Sequence, residues 1–427
     1  MGIFATKSGE TLAISDNELR QLIKETLNKA GGSFKKVLLV PPDITRANSY
    51  AGPITAMIYE MLAGKCQVDI IPALGTHAPM PEHELRAMFG QNIPLSCFKV
   101  HDWRNDVIKK GTVSGALLKE WSEGRVDYSV DVEVNKILFE GYDLILSIGQ
   151  VVPHEVVGMA NYTKNIMVGV GGADTINKSH FLGAAYNMER IMGQADSPVR
   201  KLFNRGVSEF LGDLPIVYML TVMAKGSVSG KMEMRGFFSG DDDKAFLAAC
   251  KLSQQTNLLL LDKPMKKVVV YLDPEEFKST WLGNKSVYRT RMAIADGGEL
   301  FVLAPALKEF GEDREIDRLI RKYGYHGTPA TLKAVRENEE LRNNLSAAAH
   351  LIHGSSEGRF RIIYCPGPKM SRQEIENAGF EYADLNEITE KYKVATLKDG
   401  FNTVNGEEIF YISNPALGLW ALKEKFV

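Results

Sequence analysis

Three side chains in residues 148–182 carry the chemistry of a proton donor, a nitrogen nucleophile and a metal ligand: His154, Lys164 and His180. Histidine titrates near neutral pH and its neutral ring binds metals, while a desolvated lysine amine is a nucleophile. Gly149, Gly158, Gly169, Gly171 and Gly172 lie among them, and glycine lets backbone come close to a ligand. Each residue alone also has a plainer reading. A histidine near a strand end is commonly a hydrogen-bonded structural group, and a lysine is commonly solvated.

The elements around these residues decide whether they can act together. Leu144-Ile145-Leu146-Ser147-Ile148 is an apolar run that predicts a buried strand leading straight into the stretch. Upstream, residues 36–40 (KVLLV) predict a strand that ends in Pro41-Pro42-Asp43-Ile44-Thr45-Arg46, and residues 67–74 predict one that ends in Gly75-Thr76-His77. Helices are expected over 16–30, 53–63 and 82–89, so the rhythm is βαβα and the sheet parallel. In a parallel sheet all strand tips lie on one edge, which is where ligands bind. That edge would gather Asp43, Thr45, Arg46, His77, His154 and Lys164. Arg46 with loop N–H groups is a candidate anion site. His83, His101, His326, His350 and His353 lack such a setting and are read as structural or solvated.

Further along, residues 3–14 predict an edge strand or hairpin. Short strands are expected at 98–101 and 129–138, a helix at 182–192, a strand at 216–224 with 231–239 beside it, and a helix at 241–253. At 427 residues the chain exceeds one ordinary core, and the rhythm restarts after Leu261-Asp262-Lys263-Pro264. The expected division is an N-terminal α/β cofactor-binding domain over 1–264 and a C-terminal α/β domain over 265–412. Both would have largely parallel sheets, with the active site in the cleft between them. In the second domain, strands at 267–272, 299–304 and 360–365 alternate with helices at 284–295, 313–323, 328–337, 339–352 and 371–378. A final amphipathic helix at 413–427 is expected to pack back on the first domain.

Composition narrows the function classes. Apolar residues are 44% and charged residues 24%, as in ordinary soluble globular proteins. A net charge of −2 gives no electrostatic footprint for nucleic acid. The start lacks the apolar core of a signal peptide, and no apolar run is long enough to span a bilayer. Cys66, Cys97, Cys250 and Cys365 are scattered, which indicates neither a thiolate metal site nor a disulfide framework. A cytoplasmic location is expected. The residues alone leave three functions open: an enzyme using the histidines as acids and bases, a zinc hydrolase built on His77, His154 and His180, and a non-catalytic binding protein. The hydrolase lacks a clear carboxylate base. Glu155 adjoins His154, and neighbours on an extended segment point to opposite faces.

Asp43-x-Thr45-Arg46, Gly75-Thr76-His77 and the block from Pro153 through Lys164 to His180 together resemble the lactate racemase family, the nickel-pincer nucleotide-dependent racemases and epimerases of 2-hydroxy acids. The resemblance covers nearly the whole chain. It implies a nickel ion carried by a pyridinium thioamide/thiocarboxylate mononucleotide. Lys164 would bind this cofactor covalently, His180 would ligate nickel, and Asp43, Thr45 and Arg46 would help hold the group. His77 and His154 would be the catalytic acid/base pair. Cofactor maturation proteins would be partners, with neither nucleic acid nor membrane involved.

The resemblance has departures. Where the family commonly has Tyr-Gln-x-x-Lys, this chain has Tyr288-Arg289-Thr290-Arg291-Met292, and Met159-Ala160-Asn161-Tyr162-Thr163 replaces a glycine-rich segment. Trp281, Tyr288, Arg289 and Met292 are therefore the expected substrate contacts. Trp281, Asn284, Lys285 and Arg289 suggest a more polar pocket, for a polyhydroxylated acid such as an aldonate, with lactate or another short 2-hydroxy acid as the alternative.

Overall fold

The computed structural model describes residues 2–226 and 230–426. Two compact units divide the chain: Met1–Leu182 with Ile191–Asn257, and Gly183–Arg190 with Leu258–Val427. Both are α/β units with largely parallel sheets.

In the first unit the strands are β1 (Ile3–Ser8), β2 (Lys36–Val40), β3 (Gln67–Ile70), β4 (Val107–Val113), β5 (Val130–Asn135), β6 (Leu144–Gln150), β7 (Pro153–His154), β8 (Gly158–Met159), β9 (Ile216–Lys225) and β10 (Met232–Gly240). A six-stranded sheet runs β1-β10-β9-β6-β2-β3. β3, β2, β6 and β9 are mutually parallel, and β10 and β1 add antiparallel at one side. Val37, Leu39, Leu144, Leu146 and Ile148 are buried on the sheet against Ile54 and Ile58 of the helix Ala51–Leu62, and against Leu19 and Ile23 of the helix Asp16–Lys29. Each such side chain contributes about 1.5–3 kcal/mol when fully buried. Ser15 opens the helix Asp16–Lys29 through a capping box with Glu18. Because β2, β3 and β6 are parallel, their carboxyl ends share one edge, and the loops after them carry the chemistry.

In the second unit the strands are β11 (Leu259–Leu261), β12 (Met265–Tyr271), β13 (Ile294–Ala304), β14 (Arg361–Pro366), β15 (Glu381–Tyr382), β16 (Gly400–Val404), β17 (Glu407–Ile412) and β18 (Trp420–Leu422). Its sheet runs β15-β14-β13-β12-β17-β16, parallel except for the β16–β17 hairpin. Among the described residues no helix is long and apolar enough to cross a membrane.

Several expected elements differ. The stretch 98–101 is a loop joined to β3 by a single bridge at Phe98. The helix expected at 182–192 begins earlier, as Ala173–Tyr186, followed by the short helix Met188–Ile191. The helix expected at 284–295 is replaced by two short ones, Thr280–Gly283 and Lys285–Tyr288. Consequently Arg289 and Met292 do not share a helical face. Met292 instead bridges to Ala421. The C-terminal amphipathic helix does not form: β18 pairs in parallel with β11 inside the second unit, flanked by 3-10 turns. Tertiary pairing outweighs the helical pattern of these residues.

Candidate active site

A cavity of ≈ 230 Å³ opens at the carboxyl edge of the first unit's sheet, and its walls include Asp43, Thr45, Arg46, His77, His154, Lys164 and His180. All the residues proposed from the sequence for catalysis, cofactor and metal are therefore brought together within one unit. Trp281, Tyr288, Arg289 and Met292 belong to the second unit. There Trp281 lies on His350, Arg289 donates to the carbonyls of Ala416 and Gly418, and Met292 is buried.

The loop after β2 is shaped by Asp43. Its carboxylate caps the 3-10 helix Ile44–Ser49 by accepting from the Thr45 amide, and accepts the Thr45 hydroxyl as well. Its other oxygen meets His77 Nδ1 at 2.5 Å. Burial works against the charged form of Asp43. The hydrogen bonds from His77 and Thr45, with the charges of His77 and Arg46, outweigh burial and hold the carboxyl below its usual range. The loop after β3 reaches His77 through Gly75, which has φ +57° and donates to the Gly169 carbonyl at 2.9 Å. A Cβ at Gly169 would stand 2.6 Å from that of Ala73, so this glycine lets the two loops close on each other.

The loop after β6 forms the hairpin β7–β8, in which His154 pairs with Gly158. His154 Nδ1 accepts from the Val156 amide at 3.1 Å, and the Glu155 carboxylate is 3.9 Å from the same nitrogen. The strand rule that separates neighbouring side chains fails here because residues 155–157 form a turn. Glu155 is a residue that the strand rule set aside and the turn brings back beside His154. Burial pushes the His154 ring well below the usual imidazole range; Glu155 opposes this, and the Lys164, His180 and Arg46 charges reinforce it.

Lys164 follows two consecutive non-glycine residues in the left-handed region, Asn161 (φ 65°) and Tyr162 (φ 57°). Such backbone costs on the order of 1–3 kcal/mol per residue and persists only where packing enforces it. Tyr162 is enclosed by Tyr218 and Phe246. Arg200, 2% exposed, donates to the Met159 carbonyl and the Thr163 hydroxyl and so clamps the segment. Arg200 was missed; its burial on the helix Pro198–Phe210 is set by tertiary packing and leaves no signal in the sequence. After Lys164 the chain widens into a π-helical turn, Asn165–Gly169, a form frequent at functional sites. Asn165 ties it to the Val40 carbonyl at the end of β2 and to the Ser147 hydroxyl within β6. Burial and the Arg46 and Arg200 charges pull the Lys164 amine down to about 8, against Glu155 and Asp43.

His180 sits on the helix Ala173–Tyr186. Its Nδ1 is 2.6 Å from the Ile176 carbonyl, which can only accept, so Nδ1 carries the hydrogen and Nε2 the lone pair. Burial keeps the ring below its usual pKa. All three cavity histidines thus commit Nδ1 to the protein, and among the described residues none has a protein partner on Nε2. A histidine that gives its Nδ1–H to a carbonyl has the geometry of a metal ligand. Among the described residues, however, no three His, Cys, Asp or Glu side chains converge to hold a metal by themselves. The zinc hydrolase alternative fails on that point, whereas one histidine joined to donors from a cofactor does not require such a cluster. His101, outside the cavity, is structural: it bridges Asn135 and the Gly171 carbonyl.

Residues 5–192 match the family model of the lactate racemase N-terminal domain. The fold is shared with a crystal structure of a Thermotoga maritima protein, at TM-score 0.77 and 22% identity over 98% of this chain and 100% of that one. It is also shared with the lactate racemase apoprotein of Thermoanaerobacterium thermosaccharolyticum, at TM-score 0.69 and 18% identity over 98% and 94%. No curated protein matches the chain in sequence. Over residues 5–192 the chain is therefore similar to the lactate racemase N-terminal domain.

Proposed function

We propose that this protein is an isomerase that inverts the C2 stereocentre of a 2-hydroxy acid. The observation that carries the reading is the convergence of His77, His154, Lys164 and His180 on one cavity inside the lactate racemase N-terminal domain. The residues fit a nickel-pincer nucleotide. The Lys164 amine, drawn down to about 8, is available for covalent attachment. His180 Nε2 would ligate nickel, and the Asp43–Arg46 loop would help hold the nucleotide. When bound, that group supplies a hydride acceptor and donor, which avoids removal of a poorly acidic α-proton.

The chain's own residues do the rest. Arg46 provides positive charge for the substrate carboxylate. His77, with Nδ1–H held by Asp43, takes the hydroxyl proton at Nε2, and the carboxylate stabilises the imidazolium. His154 serves the opposite enantiomer, whose hydroxyl points the other way. Within the class, Thr76, Gln150 and Asn161 at the cavity wall favour a chain with extra hydroxyls, such as an aldonate. A site that pairs with such hydroxyls discriminates against analogues lacking them.

The test is a panel of 2-hydroxy acids, with enzyme produced alongside the nickel-pincer pathway and read by chiral chromatography. Hydroxylated acids should be inverted faster than lactate by about tenfold or more. Faster turnover of lactate would overturn the substrate assignment, and inversion of none would overturn the function.

A further inference from the structure

The two acid/base rings hold their hydrogens on different nitrogens. His77 Nδ1 faces Asp43, whose carboxylate is held ionised and can only accept, so Nδ1 bears the hydrogen and Nε2 can take up a proton. His154 is the reverse. A backbone amide can only donate, and Val156 N–H points at His154 Nδ1, so that nitrogen bears the lone pair and the neutral ring carries its hydrogen on Nε2. A neutral ring in that form cannot accept a proton at Nε2, and giving its Nε2–H away would leave an imidazolate. To act, His154 must gain a proton on Nδ1. It then loses the Val156 amide as a partner and needs an acceptor.

The turn at 155–157 places one there: Glu155, a single residue on, with its carboxylate 3.9 Å from Nδ1. We propose that Glu155 is the positioning carboxylate of His154, the counterpart of Asp43 beside His77. On protonation the ring turns its Nδ1–H from the Val156 amide to Glu155, and the imidazolium so formed holds a deliverable proton on Nε2. The inference rests on the reading that the two rings exchange the substrate's hydroxyl proton. In one turnover the O–H bond breaks toward His77 Nε2, and the new O–H bond forms from His154 Nε2–H. His77 ends charged and His154 neutral, now with its hydrogen on Nδ1, ready to accept at Nε2 from the other enantiomer. The nickel-pincer nucleotide, when bound, would supply both the acceptor and the donor of the carbon-bound hydride, so there is no net oxidation. The groups facing His154 are Glu155, which favours the charged ring, and Lys164, His180 and Arg46, which oppose it.

The experiment uses the full chain without cofactor, labelled with ¹⁵N-histidine, and reads the ring nitrogens by long-range NMR correlation against pH. Wild-type His154 should show the Nε2–H form at neutral pH and become an imidazolium on acidification. Glu155→Gln should lower its midpoint by about one pH unit or more, the scale of a lost opposite charge, and Glu155→Asp by less. The His77 signals, which report an intact site, should stay in place. A His154 midpoint unmoved in Glu155→Gln, or a neutral ring with its hydrogen on Nδ1, would overturn the proposal. In loaded enzyme, Glu155→Gln should slow both directions by about 10–100-fold. If loaded wild type inverts no 2-hydroxy acid while the NMR behaves as stated, the functional reading fails and the Glu155–His154 pairing stands.

Discussion

Each unit buries a histidine among polar neighbours, and the two settings differ in what they leave unspent. In the second unit the Thr280 hydroxyl donates to the Phe310 carbonyl and meets the Tyr325 hydroxyl at 2.8 Å. Tyr325 lies 3.0 Å from His350 Nε2, and Tyr364 donates to Asn284, whose amide approaches the same ring. Trp281 covers the ring's face. Burial drives His350 down to about 3, with His353 adding to the shift. In the first unit burial also keeps His154 and His180 neutral, yet their Nε2 atoms meet a cavity instead of a protein partner. A depressed pKa is common to both settings, so it does not mark a site. What marks one is a polar group held by one atom and left open at another.

The comparison is broken most directly by paired substitutions. His77→Ala and His154→Ala should each cut turnover by about 10²–10⁴-fold while urea unfolding stays nearly unchanged. His350→Ala should do the opposite, lowering stability by about 2–4 kcal/mol through a void and the stranded Tyr325 and Asn284 groups. Loss of turnover in His350→Ala without loss of stability would erase the distinction.

Acid sharpens it. His350 has a depressed pKa when folded, so the unfolded chain binds the extra proton first. Its stability contribution is intact above about pH 6.5 and is lost as pH falls toward about 3, amounting to about 2 kcal/mol by pH 5. Urea midpoints taken from pH 7 to pH 5 should fall in the wild type and fall less in His350→Gln. Equal slopes would place the acid sensitivity elsewhere.

The smallest effect concerns orientation. Asp43→Asn removes the charge that fixes the His77 ring but keeps its size, and should cost about 10–100-fold in turnover. Wild-type rates in that variant would mean that His77 needs no partner.

Much of this was legible in the sequence, for identifiable reasons. The runs at β2 and β6 are apolar but for Ser147 because both faces of the sheet are covered, and the loops after them carry the reactive residues. The first turns of the helix Ala173–Tyr186 were hidden because polar residues lie on its buried side as well, Thr175 and Ser179 among them, which blurs the 3.6-residue period. β4 was hidden because a bulge between Lys109 and Gly111 breaks its alternation. The β16–β17 hairpin had an available signal that went unread, Asn405-Gly406, with both residues at positive φ. Glu155 was dismissed by the rule for extended strands, in a place where the chain turns. Apart from the hairpin, these failures are tertiary or conformational, and no single-residue property encodes them.

The central claim is that the first-unit cavity carries a covalently attached nickel-pincer nucleotide on Lys164. Intact-mass measurement with peptide mapping tests it, on protein co-produced with the cofactor pathway and nickel. The account predicts a nucleotide-sized gain located on Lys164 in the wild type and absent from Lys164→Ala. A wild-type chain of unmodified mass, or the same gain retained in Lys164→Ala, would contradict it.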